Sequence, residues 1–164
     1  MTSPDRPTGD RPARTVFALL VIACFVAFFI TQRLKHTPTA VQLFKLTPRF
    51  SPTPVGAIKE ERISFRLARS DAVTVTIIDS AGSEVATLVR DHQTRGYKVL
   101  SLRWNGRRGV AHRYTTRTAT DGRPILIPDN RGALAPAGEY RVRVVLREQR
   151  RTVESPRTFT LVRP

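Results

Sequence analysis

Arg62-Ile63-Ser64-Phe65-Arg66-Leu67 and then Val73-Thr74-Val75-Thr76-Ile77 alternate apolar and polar side chains with a period of two. In an extended chain Ile63, Phe65 and Leu67 share one face while Arg62, Ser64 and Arg66 share the other, the pattern of a half-buried strand. After the second run comes Asp79-Ser80-Ala81-Gly82, a turn in which Asp bonds its own backbone and Gly takes positive φ. Residues 85–89 read as the returning strand. Gly96 opens a further strand over 97–104, with Leu100, Leu102 and Trp104 on one face. Tyr140-Arg141-Val142-Arg143-Val144 alternates again and runs on to Leu146, and residues 158–161 close the series. Upstream, residues 41–46 read as a first edge strand, since edges tolerate nearby proline. About seven short antiparallel strands with turns between them predict an all-β sandwich.

The 164 residues leave room for one such domain and one further segment. The chain carries 28 Lys and Arg against 13 Asp and Glu, a net charge of +15. Arg6, Arg11 and Arg14 against Asp5 and Asp10 hold one unit of it, so +14 belongs to the remainder. Such a field favours polyanions, acidic proteins or anionic membrane surfaces. Lys35, Lys45, Lys59 and Lys98 are the lysines and the other basic residues are arginine, a bias that a GC-rich genome explains as readily as a selected ligand. The single cysteine, Cys24, excludes an intrachain disulfide.

Cys24 lies in an apolar run, residues 16–30, that no charge interrupts. With Thr15, Thr31 and Gln32 it makes about 18 uncharged residues, near the lower limit for spanning hydrocarbon, and Arg33 or Lys35 can extend it by snorkelling. The run ends in Gln32-Arg33-Leu34-Lys35 rather than in a small-x-small cleavage site, which favours an uncleaved signal anchor over a signal peptide. Val21-Ile22-Ala23-Cys24 has the residue types of a lipobox, but Phe25 to Ile30 would leave a hydrophobic mature terminus. Arg6, Arg11 and Arg14 before the run balance Arg33, Lys35 and Lys45 after it, so charge alone returns no orientation. The expected organisation is a polar tail over 1–14, a transmembrane anchor over 15–34, a proline-rich linker with an edge strand over 35–56, and a sandwich over 57–164 holding an inserted loop, 107–137.

Several landmarks of the sandwich fall in order: Ile63-x-Phe65-x-Leu67; Val73-x-Val75-x-Ile77-x-Asp79-x-x-Gly82; Gly96 leading to Trp104-Asn105-Gly106; and Pro136-Ala137-Gly138-Glu139-Tyr140-x-Val142. This series resembles the FlgD-type immunoglobulin-like domain, a module appended to many secreted and surface proteins of bacteria. The resemblance runs from Leu43 to Val162 and implies an Ig-like antiparallel sandwich in which Trp104, Gly106, Gly138 and Tyr140 are scaffold; a likeness of fold fixes no activity. Two departures stand out. Asn105 replaces the usual Asp, and residues 108–134 lengthen the connection to Gly138, either as a binding loop or as an extra hairpin with no ligand.

Candidate chemistry is sparse. His36, His92 and His112 lie far apart in sequence, and Asp121 and Asp129 are the only carboxylates in the inserted loop. Neither a cofactor nor a metal site is expected, and Thr115, Thr116 and Thr118 read as strand or turn residues. The arginines group as Arg103, Arg107, Arg108, Arg113, Arg117 and Arg123, then Arg141, Arg143, Arg147, Arg150 and Arg151. They are expected to form a patch for an anionic envelope polymer or an acidic protein partner. Sequence-specific nucleic-acid recognition is not expected, since no stacking aromatics accompany them. The reading is a single-pass cell-membrane protein of the bacterial envelope, its C-terminal domain extracytoplasmic and not an enzyme. The alternative is an accessory or scaffold subunit of an envelope complex, and the distant third is an enzyme of unknown type.

Overall fold

The computed structural model describes residues 10–35, 39–53 and 56–163, and within the helix the side chains of residues 15–31. The first part of the expected polar tail, His36, Pro38, Pro54, and the side chains of Arg14, Arg33 and Lys35 lie outside the described residues. The chain divides into two compact units, Met1–Pro38 and Thr39–Pro164.

The first unit contains helix α1, Asp10–Lys35. Pro12 is accommodated because the first turn needs no intrahelical N–H donor. The apolar side chains are exposed all round, among them Phe17, Leu19, Ile22, Phe25, Phe29 and Ile30. The Thr31 hydroxyl donates to the Ala27 carbonyl at 2.7 Å, one turn back. The transmembrane helix expected over 15–34 is not found: among the described residues no helix is long and apolar enough to cross a membrane. The uncharged run itself is short: residues 16–30 rise about 22 Å at 1.5 Å each, against about 30 Å of hydrocarbon.

Among the described residues the second unit holds twelve strands: β1 Val41–Leu46, β2 Arg49–Phe50, β3 Glu61–Leu67, β4 Asp71–Asp79, β5 Glu84–Thr94, β6 Val99–Trp104, β7 Gly109–Val110, β8 Tyr114–Thr118, β9 Pro124–Pro128, β10 Gly138–Leu146, β11 Arg151–Glu154 and β12 Phe159–Leu161. They form two sheets in the arrangement of a β-sandwich. The first has order β1-β3-β6-β9-β8; the second has order β2-β12-β10-β4-β5-β7, with β11 on β10.

The expected sandwich of about seven antiparallel strands is corrected in two respects. The sheets are mixed, because β2 pairs β12, β5 pairs β7 and β6 pairs β9 in parallel. The extra strands are short or polar: β2 and β7 have two residues each, β8 is exposed throughout, and β11 is mostly exposed. None of these offers apolar alternation for a sequence pattern to detect. The edge strand expected over 41–46 is β1, at one end of the first sheet, and β2 and the buried Ala40, Val41 and Phe50 tie more of the stretch read as a linker into the sandwich.

The alternating strands bury the faces their sequence marks. Ile63, Phe65 and Leu67 of β3 meet Val73, Val75 and Ile77 of β4 and Val142, Val144 and Leu146 of β10 in one core cluster. An aromatic group completes it: the Trp104 ring lies 5.6 Å from Phe50, 5.6 Å from Tyr140 and 5.9 Å from Phe159. Both polar aromatic tips are satisfied, as burial requires. Trp104 Nε1 donates to the Arg107 carbonyl at 2.8 Å and the Tyr140 hydroxyl to the Pro136 carbonyl at 2.6 Å. Gly106 holds φ at +78°, and a Cβ there would meet Pro52, Leu134 and Leu161 at 3.1–3.3 Å, so its scaffold role has a steric cause. Gly138 has neither a positive φ nor a neighbour that would meet a Cβ, so no tight turn depends on it.

Candidate functional site

The expected arginine patch separates into three groups. Register explains the separation. Arg62 is paired with Arg103 across β3 and β6, and Arg117 with Ile125 across β8 and β9, while Ile125 is paired with Ser101 of β6. Partners in register project to the same side, so Arg62, Arg103 and Arg117 share the outward face of the first sheet. Arg141 and Arg143, in register with Ile78 and Thr76 of β4, project from the outward face of the second sheet. A sandwich sets those faces back to back. Arg107, Arg108 and Arg113 belong to the inserted segment. Arg108 and Arg113 line a third depression of about 410 Å³ with His112, Asp129 and Arg131.

The first group forms the candidate site. Arg62, Arg103 and Arg117 line a shallow depression of about 370 Å³ together with Lys59, Glu60, Ile125 and Ile127. An adjoining hollow of about 210 Å³ runs from Arg62 and Arg103 past Ser64 and Ser101 to Arg123. Arg123 is engaged, its Nε 2.8 Å from Asp121. Among the described residues no carboxylate lies within ion-pair distance of Arg62, Arg103 or Arg117. The Arg103 guanidinium is pushed below its ordinary pKa, first by burial and next by Arg62, with Arg117 adding to the effect and Glu60 opposing it. Like charges opposite one another in a sheet destabilise it. What the arrangement offers chemically is a set of guanidinium forks over a flat sheet, suited to phosphate or carboxylate oxygens.

Elsewhere several arginines are paired or structural, although Arg141, like Arg62, Arg103 and Arg117, has no carboxylate within ion-pair distance among the described residues. Arg143 donates from Nε and Nη2 to Glu154 Oε1 at 3.2 and 3.1 Å, and Arg147 lies 3.4 Å from Asp91. Arg107 Nη1 donates to the Gly132 carbonyl at 3.2 Å, fastening the inserted segment. Arg150 occupies a turn at φ 49° and Arg151 opens β11.

Three buried polar groups that the sequence did not single out position these faces. Glu61, fully buried beside Trp104 in register, accepts the Thr47 N–H at 2.8 Å through Oε1, whereas its Oε2 has no partner. Burial pushes its pKa up to about 8 against the lowering effects of that hydrogen bond and of Arg103. Asp71, also fully buried, accepts the backbone N–H groups of Glu148 at 2.9 Å and Gln149 at 3.1 Å, capping the turn between β10 and β11. Asn130 Nδ2 donates to the carbonyls of Thr87 and Gly109, tying the inserted segment to β5 and β7. The strand pattern of β3 already aligned Arg62 with Arg66. The missing signal was the register that sets Arg62 against Arg103.

Among the described residues no group of His, Cys, Asp and Glu is placed to hold a metal ion. His92 and Tyr114 instead contact each other, Nδ1 to hydroxyl at 3.3 Å, and burial lowers the His92 pKa. No family model matches the chain, and no curated protein matches it.

Proposed function

We propose that this chain is a membrane-anchored, non-catalytic protein of the bacterial envelope that presents a basic, FlgD-type immunoglobulin-like module to an anionic partner. The observation that carries the reading is the unpaired arginine set Arg62, Arg103 and Arg117 on one face of the sandwich. Like charges are gathered there at a cost to the fold, and an incoming anion removes that cost. The hydrogen bond from the Tyr140 hydroxyl to the Pro136 carbonyl, four residues upstream, supports the Ig-like assignment, since such a corner is a hallmark of these sandwiches. The anchor reading is supported by residues 16–30 of α1, a run without a charge whose apolar side chains are exposed, although the helix falls short of the length and apolarity of a membrane span. A helix apolar all round is stable where lipid or protein covers it.

The direct test is trypsin treatment of spheroplasts from cells expressing a C-terminally tagged chain, with denatured material as a control for intrinsic resistance. Loss of the tag while a cytoplasmic marker survives is the expected result. A tag protected until lysis, together with recovery of the protein in the soluble fraction, overturns the anchored, extracytoplasmic reading. Binding is read separately, as salt-dependent retention on immobilised heparin or polyphosphate. Elution like a neutral protein removes the anionic partner.

A further inference from the structure

Strand β8 forms one end of the first sheet and pairs only with β9. The pairing dictates which of its backbone groups are used. The Arg113 carbonyl accepts the Asp129 N–H at 3.0 Å, and the Ala119 N–H donates to the Arg123 carbonyl at 2.8 Å. Both bonds lie in the register that sets Thr115 opposite Ile127 and Arg117 opposite Ile125. Odd-numbered residues therefore face β9, and the N–H and C=O groups of Tyr114, Thr116 and Thr118 point away from it. Pro128 and Pro124, opposite Tyr114 and Thr118, have no N–H to give, in agreement with that phase. Among the described residues no strand covers this edge, and all the residues of β8 are exposed.

The other end of the same sheet differs. There β1 breaks register between Gln42 and Lys45, with Leu43 at φ 51°. Such a bulge twists an edge away from further pairing. β8 keeps unbroken register over its length.

We infer that the β8 edge receives an extended acidic segment of a partner protein by strand addition. This rests on the reading of the domain as a basic interaction module and specifies how the partner is held. An added strand lies about 4.8 Å from β8 and directs alternate side chains to the face that carries Arg117. Carboxylates at those positions meet Arg117, with Arg103 near it on the same face. The backbone ladder supplies affinity and the arginines select for acidity. A second copy of this chain is disfavoured, because each copy brings a charge of +15.

The test uses the full chain in detergent and a short, blocked peptide of alternating glutamate and valine, titrated by calorimetry, with inorganic polyphosphate as a comparison. Thr116→Pro removes an outward donor without touching the β9 ladder, and the expected result is at least tenfold weaker peptide binding with polyphosphate binding unchanged. Amide exchange on the unmodified chain gives a readout independent of that variant's folding. Peptide addition is expected to protect the Thr116 and Thr118 amides. Arg117→Glu is expected to weaken both ligands. If peptide binding survives Thr116→Pro and those amides gain no protection, or if only polyphosphate binds, strand addition is wrong and a polyanion site remains. If neither probe binds up to millimolar concentration, the anionic-partner reading fails together with it.

Discussion

The two outward faces of the sandwich carry similar numbers of arginines and use them differently. On the second sheet Arg143 is bound by Glu154 and Arg147 lies against Asp91. On the first, Arg62, Arg103 and Arg117 repel one another across neighbouring strands, and only more distant glutamates offset them. Net charge counted along a sequence is thus a gross quantity. The charge that a ligand meets is what remains after cross-strand pairing, and register decides that remainder.

A buried acid lies on the core side of each sheet, and those acids give the largest tests of the contrast. Glu61 in the first sheet has a folded-state pKa near 8 against 4.5 unfolded. The native state therefore binds more protons than the unfolded state between those values, so stability falls as pH rises from about 4.5 through 8. The loss is on the order of 4 kcal/mol. Thermal melts across pH 4–9 should show that slope, and Glu61→Gln should remove most of it; an unchanged slope would mean that Glu61 is solvated or paired. Asp71 in the second sheet is the opposite case, with both oxygens accepting backbone N–H groups. Asp71→Ala should cost about 2–3 kcal/mol in chemical denaturation by stranding the Glu148 and Gln149 donors. A loss below about 0.5 kcal/mol would show that the turn is held without that cap.

Smaller effects separate the faces themselves. Reversing Arg62, Arg103 and Arg117 to glutamate together should weaken polyphosphate binding by tenfold or more, about 1.4 kcal/mol or above, and flatten its salt dependence. Reversing Arg143 and Arg147, the two arginines of the second face that lie against carboxylates, should alter it less than threefold. Equal losses would erase the distinction drawn between paired and unpaired arginines. Smallest of all, Glu154→Ala should cost under about 1 kcal/mol, because a partly exposed ion pair contributes little. The same change should strengthen polyphosphate binding slightly by releasing Arg143.

Strands with an apolar face were legible in the sequence: β3, β4, β6 and β10 each place a buried face where period-two alternation puts it. Trp104 and Tyr140 were legible as scaffold because a large amphipathic ring demands both burial and a polar partner. β8 was legible only in part: Thr115, Thr116 and Thr118 read as strand or turn residues and the insertion as a binding loop or an extra hairpin, but Tyr114 to Thr118 are all exposed and their pairing depends on Ile125 and Ile127 across a turn. The candidate site was half legible. Arg103, Arg117 and Arg123 could be named, but Arg62 joins them only through a register that no local pattern encodes. Arg141, Arg143 and Arg147 were grouped with them only because linear order hides which sheet a strand enters.

The segment 107–137 sends β7 to the second sheet and β8 with β9 to the first, and Asn130 bonds carbonyls of both β5 and β7. Its parallel pairings have no template until β5 and β6 are already in place. Its strands β7 and β8 are exposed throughout, so few buried side chains there resist local opening. The arginine face is completed by that same segment. Local opening of this one segment is therefore expected to take Arg117 off the face while the Trp104 core remains intact, which amide exchange followed alongside polyphosphate binding would show.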